Sequence, residues 1–118
     1  MRAGENNPVV HINHSPSDML YEVTRQRSGA ASIVDDEGKL LGLVTDHDIR
    51  RVLEHGRNIF SLSIAEIMNE NPTFIRSDAM AIEALDLMEN QERPLLVLPV
   101  LELHGKKVVG MVHLHDLV

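Results

Sequence analysis

The chain has 118 residues, a formal net charge of −7 from 18 acidic and 11 basic side chains, and 43% hydrophobic residues. Such a composition is globular, and an acidic chain without a Lys/Arg cluster argues against nucleic acid as a partner. The absence of Cys removes disulfides, thiolate zinc sites and thiol nucleophiles. No run approaches the ~20 apolar residues of a membrane span and no signal-peptide pattern opens the chain, so a soluble, cytoplasmic protein is expected. The length suits one domain of ordinary size or two very small halves.

In chain order, Val9 to Ile12 is extended after Pro8. Ser15-Pro16-Ser17-Asp18 then starts a helix, with Ser as N-cap and Pro in the first turn, running to about Arg27. Ser28-Gly29 breaks it, and residues 30–34 read as a buried strand. Asp35-Asp36-Glu37-Gly38 is a hairpin turn, 39–45 the returning strand, and 46–55 a helix ending at Gly56. Its Ile49, Val52 and Leu53 fall on one face at helical spacing. Ser63-Ile64-Ala65-Glu66 is a capping-box pattern for a short joining helix through Met68. Residues 73–75 are again extended, and 79 to about 92 helical, with Ala81, Leu85 and Met88 on one face. Residues 95–103 form a strand that Pro99 predicts to be an edge or a bulge. His104-Gly105 turns the chain, 106–113 returns, and a last helix has barely begun at Val118.

This order is a duplication. Gly42-Leu43-Val44-Thr45-Asp46-His47-Asp48-Ile49 recurs 68 residues later as Gly110-Met111-Val112-His113-Leu114-His115-Asp116-Leu117. Asn7-Pro8-Val9 recurs as Asn71-Pro72-Thr73, and Asp18-Met19-Leu20 as Glu83-Ala84-Leu85. Each copy reads β-α-β-β-α, too small for a secure core alone, so the two should fold as one α+β body. The divisions are 1–6 as a linker remnant, 7–62 as the first repeat, 63–70 as a joining helix, and 71–118 as the second repeat with its last helix truncated.

The duplication, with Gly-x-x-Thr-x-x-Asp closing the third strand of the first copy, resembles the tandem cystathionine-beta-synthase (CBS) domain pair, or Bateman module. Residues 34–42 (VDDEGKLLG), 45–51 (TDHDIRR) and 112–117 (VHLHDL) are similar to the C-terminal CBS pair of bacterial arabinose-5-phosphate isomerases. Met1-Arg2-Ala3-Gly4-Glu5 resembles the linker from the sugar-isomerase (SIS) domain that precedes the pair in that family. The resemblance implies a regulatory fragment of a carbohydrate-pathway isomerase, non-catalytic by itself. Its implied partners are the N-terminal SIS domain and a second copy in a homodimer. It also implies two clefts between sheet-packed repeats, with no required cofactor. The regulatory ligand would be an adenine nucleotide or a sugar nucleotide of the CMP-Kdo type.

By that resemblance, ribose recognition falls on Thr45 and Asp48, where a carboxylate with two acceptor oxygens suits a vicinal diol. The start of the following helix would supply N–H groups for an anion. The alternative is structural: Thr45 and Asp46 cap the helix, and Asp48 lies in its exposed first turn. In the second copy His113 replaces Thr while Asp116 is retained, so that cleft takes a different ligand, with His113 reading a phosphate when protonated, or none. His113-x-His115-Asp116 has no third ligand at a diagnostic spacing, and no metal is expected. No nucleophile elbow, P-loop or dinucleotide fingerprint is present. Arg50, Arg51, Lys106 and Lys107 read as ordinary surface.

Overall fold

Five small or aliphatic-flanked residues in a row, Ala30–Val34, are all buried, so both faces of this strand need cover. The computed structural model describes residues 7–25, 29–90, 95–114 and 117, and provides that cover in two ways. The first half consists of β1 (Val9–His11), α1 (Pro16–Thr24), β2 (Ala30–Val34), β3 (Leu40–Thr45) and α2 (Asp46–Glu54). A 3-10 turn (Ile59–Ser61) and α3 (Ile64–Ile67) lead to the second half: β4 (Ile75–Arg76), α4 (Ala81–Glu89), β5 (Val97–Leu101) and β6 (Val108–His113). Each half has a three-stranded sheet, β1-β2-β3 or β4-β5-β6, with one parallel and one antiparallel pairing.

Alternation along β2 sends Ala31 and Ile33 to the helices, where they pack with Met19, Val23, Val52, Ile59, Ile64 and Ile67. The other face of the sheet meets the second half. There Ala30 and Leu43 pack with Met111, and Val34 packs with Leu101 and Val108. The second half's own core is Ile75, Ala84, Met88, Leu98, Val100 and Val112. The expected α+β body of two sheet-packed repeats is therefore the observed one.

Local signals mostly act as read. Ser15 Oγ accepts the Asp18 N–H at 3.2 Å and opens α1; the expected end near Arg27 lies outside the described residues. In the first hairpin, Asp35 Oδ1 accepts the N–H groups of Glu37 and Lys39, both at 2.9 Å, and Gly38 takes φ +80°. Two helical faces differ from expectation. Leu53 is 57% exposed because Val52, one residue earlier, faces the core. On α4 the buried positions are Ala84 and Met88, four apart, and Ala81 is exposed.

Pro99 does not lie on an edge: β5 is the middle strand of its sheet. Its register irregularity falls at Val100/Leu101, just after the proline. The matching residue of the first half, Ser32, donates its backbone N–H to Pro8 O at 2.9 Å. Proline has no N–H to give, and β4 begins one rung later, pairing only Ile75 and Arg76. The missing donor shortens the strand from three residues to two.

The halves are also joined through the backbone. Leu40 N–H donates to Lys106 O at 2.8 Å, and Val108 N–H to Gly38 O at 3.0 Å, so the two hairpins pair. Asn69 and Leu43 exchange both bonds, adding the joining segment to the edge of β3. That approach requires Gly42. A Cβ there would stand 2.5 Å from Met68 Sδ and 2.8 Å from Asn69 O. Gly42→Ala is expected to cost about 1–3 kcal/mol through this overlap, read as a lower midpoint in urea unfolding.

The carboxyl of Asp35 sits below the ordinary aspartate range. The Lys39 N–H is the main cause; slight desolvation opposes it, and the Glu37 N–H and the charges of Lys39 and His11 add to it. A lowered folded value stabilises above the unfolded pKa, and the gain is lost as pH falls through the folded one. Amides of the first hairpin should therefore lose exchange protection only below about pH 4. Asp35→Asn should remove this acid step, measured by hydrogen exchange across pH 2–6.

Candidate ligand site between the two halves

Thr45 ends β3 opposite Ala30, and Leu43, two residues earlier on the same face, packs against Met111 of the second half. The hydroxyl of Thr45 is thus presented at the edge of the layer between the halves. Gly29 makes the junction to α2 possible: its φ is +67°, and its carbonyl accepts the Asp46 N–H at 3.0 Å. A side chain at 29 would place Cβ 3.0 Å from Asp46 Oδ2.

Asp48 is buried, at 6% exposure, rather than lying in an exposed first turn. Its Oδ2 accepts the Thr45 N–H at 2.9 Å and the Thr45 hydroxyl at 3.1 Å, forming a capping box at the start of α2. Arg51 Nη2 donates to Oδ1 at 3.1 Å. A carboxylate offers about four acceptor positions, so Oδ2 is filled and Oδ1 keeps one open. The Thr45 and Asp46 amides are engaged, so the helix start offers fewer free donors than the sequence suggested. Arg51, read from sequence as surface, is half exposed at 51% and sits beside the open acceptor. Its three-residue spacing from Asp48 was the signal that would have found it.

His113 ends β6 at the position of Thr45 and is 7% exposed, its register partner being Val97. Asp116 and His115 lie outside the described residues. The structure thus joins Thr45, Asp48 and now Arg51 in one cluster, and places His113 at the equivalent end of the other sheet. No group of three or more His, Asp or Glu suited to a metal occurs among the described residues. A separate open depression of about 750 Å³, lined by Ile75, Arg76, Asp78, Glu83, Asp86 and Leu87 among others, contains none of these residues.

The family profile of the CBS domain matches twice, at residues 4–55 and 64–118. The chain belongs to the CBS domain family. These two CBS copies are 36% identical over 117 residues to the arabinose 5-phosphate isomerase KdsD of Escherichia coli K12 and 33% identical to that of Pseudomonas aeruginosa PAO1. The match covers 99% of this chain but 34% and 35% of those proteins, so the chain spans about a third of these curated relatives. Among solved structures, the CBS pair of protein MJ0100, in complex with 5'-methylthioadenosine and S-adenosyl-L-methionine, superposes with a TM-score of 0.81. Identity is 24%, over 97% of this chain and 86% of that one. CBSX2 in complex with AMP gives a TM-score of 0.80 at 21% identity, over 99% and 88%. These likenesses establish the fold of a CBS pair. No helix among the described residues is long and apolar enough to cross a membrane.

The Asp48 cap and its ion pair separate by substitution. Asp48→Ala strands two buried donors and is expected to cost about 1–3 kcal/mol. Arg51→Ala, at a half-exposed pair, should cost under about 0.5 kcal/mol. Paired urea titrations of the two variants provide the measurement.

Proposed function

We propose that this CBS pair is the ligand-sensing regulatory part of an arabinose-5-phosphate isomerase, binding a nucleotide or sugar nucleotide beside Thr45 and Asp48. The observation that carries the reading is the buried carboxylate with one open acceptor on Oδ1, flanked by a half-exposed guanidinium. A ribose hydroxyl would donate to Asp48 Oδ1, and Arg51 would turn from the carboxylate toward a phosphate. The likeness to CBS pairs solved with adenine-containing ligands supports the ligand class, and the KdsD relatives support the parent activity. In this reading the parent chain carries an N-terminal SIS domain, works in the cytoplasm, and receives the signal through the relative arrangement of the halves. His113 and Asp116 line the second cleft. Catalysis belongs to the SIS domain.

A second reading is a dimerisation module with empty clefts. It is favoured by Tyr21, Leu53 and Phe60, each more than half exposed, on α1, α2 and the 3-10 turn between them. A sedimentation dimer that Asp48→Ala leaves intact, together with no ligand binding, would establish it.

Titration calorimetry with AMP and with CMP-Kdo decides between the two. Binding of one of them, weakened about 10-fold or more by Asp48→Ala, is the expected result. Flat isotherms with both, from protein shown to be folded, would overturn ligand sensing.

A further inference from the structure

Two polar atoms of the first half, Asn7 Oδ1 and Ser32 Oγ, are buried without a hydrogen-bond partner among the described residues. Ser32 is fully buried, and its backbone N–H is already bonded to Pro8 O, so only the hydroxyl is left over. Burying such a group unpaired is unfavourable. The second half avoids the problem, since Pro99 stands at the matching position.

The strand register says where these atoms point. Ser32 pairs with Val9 on one side and Leu43 on the other, and both pack in the clusters between the halves. Ser32 Oγ therefore faces the same layer. Asn7 precedes Val9 by two residues and falls on that face as well. Carrying the parallel register back two residues sets Asn7 beside Ala30, whose other partner is Thr45. Asn7, Ala30 and Thr45 thus make one row across three strands, with Ser32 in the next row. The two orphaned groups border a methyl side chain, on the same face as the Thr45 hydroxyl.

We propose that Asn7 and Ser32 read the base of the bound nucleotide, selecting an exocyclic amino group beside a ring nitrogen. The assignment rests on the nucleotide reading above and deepens it. Only the oxygen of the Asn7 amide is orphaned, so it requires a donor, which an amino group supplies. The Ser32 hydroxyl donates to the neighbouring ring nitrogen. Strands about 4.8 Å apart and a step of about 6.6 Å along them bring the two side chains within reach of one ring edge. Adenine and cytosine both present this amino and ring-nitrogen pattern. Hypoxanthine and uracil present the reverse, an oxo group beside a ring N–H, and would oppose two acceptors at Asn7.

Calorimetry of the 118-residue chain with AMP, IMP, CMP and UMP tests this. AMP should bind about 10-fold or more tighter than IMP, or CMP than UMP, and the pair that discriminates names the base. Ser32→Ala and Asn7→Ala should each shrink that ratio to about threefold or less. Unliganded Ser32→Ala should unfold at the same or a higher temperature, which verifies that the variant is folded. Equal affinities within both pairs, or a ratio unchanged in Ser32→Ala, would overturn the base assignment while leaving nucleotide binding standing. Flat isotherms with all four would overturn the nucleotide reading and the assignment together.

Discussion

The layer between the two sheets is the constraint on which the rest of the molecule depends. Neither sheet can keep one face in water, because the strand faces that the helices leave open carry Ala30, Val34, Leu43, Leu101, Val108 and Met111. Burying a large aliphatic side chain is worth about 1.5–3 kcal/mol, so the five larger ones together contribute up to roughly 10 kcal/mol. That is comparable to the whole net stability of a domain this size. Separating the halves would also break the paired hairpins at Leu40–Lys106 and Val108–Gly38. One cooperative body follows from this, whatever the sequence likeness of its copies.

Duplication then makes the differences between the copies informative. At equivalent places the first half has Ser32 where the second has Pro99, and Thr45 where the second has His113. The exits of the first strands differ in the same manner. His11 holds the side chain of Asp36 on its hairpin, whereas Arg76 reaches the carbonyls of Glu102 and Gly105 on the other. The second hairpin is thus pinned by a permanent cation to fixed backbone acceptors. The first is pinned by an imidazole to a mobile, highly exposed carboxylate. Polar and adjustable groups concentrate in the first half, and the second supplies the stiffer wall. A ligand touching both shifts their relative arrangement only as far as it prefers one arrangement over another.

Most of the fold was legible because its signals are local or periodic. Ser15, Gly38 and Gly56 mark turns and caps by chemistry that a few neighbours determine, and the recurrence of Gly42–Ile49 exposes the duplication directly. What sequence could not give was which strand neighbours which. Pro99 suggests an edge from its own chemistry, yet β5 is central, and the conflict is resolved by a partner strand that starts one rung later. The faces of α2 and α4 were misjudged by single positions, since Leu53 and Ala81 satisfy the helical spacing but lie beyond the width of the buried stripe. At the candidate site, Thr45 and Asp48 were visible as residue types. The roles of Arg51 and Ser32 depend on a side-chain rotamer and on a pairing register, and no spacing rule contains either.

Net charge enters last, and it acts on where an anion can be held. A chain at −7 attracts no polyanion, and the first turn of α2 carries Asp46 and Asp48 against the favourable end of the helix dipole. The Thr45 and Asp46 amides, which would otherwise greet a phosphate, are bonded within the protein. Recognition of a phosphate at this junction therefore has to run through a side chain. Arg51 meets the requirement: its guanidinium is half exposed, its one bond to Asp48 is weak enough to be exchanged, and its departure frees the second acceptor position of Oδ1 for a ribose hydroxyl. Releasing the ion pair and engaging the sugar are then one movement, and the carboxylate stays satisfied throughout.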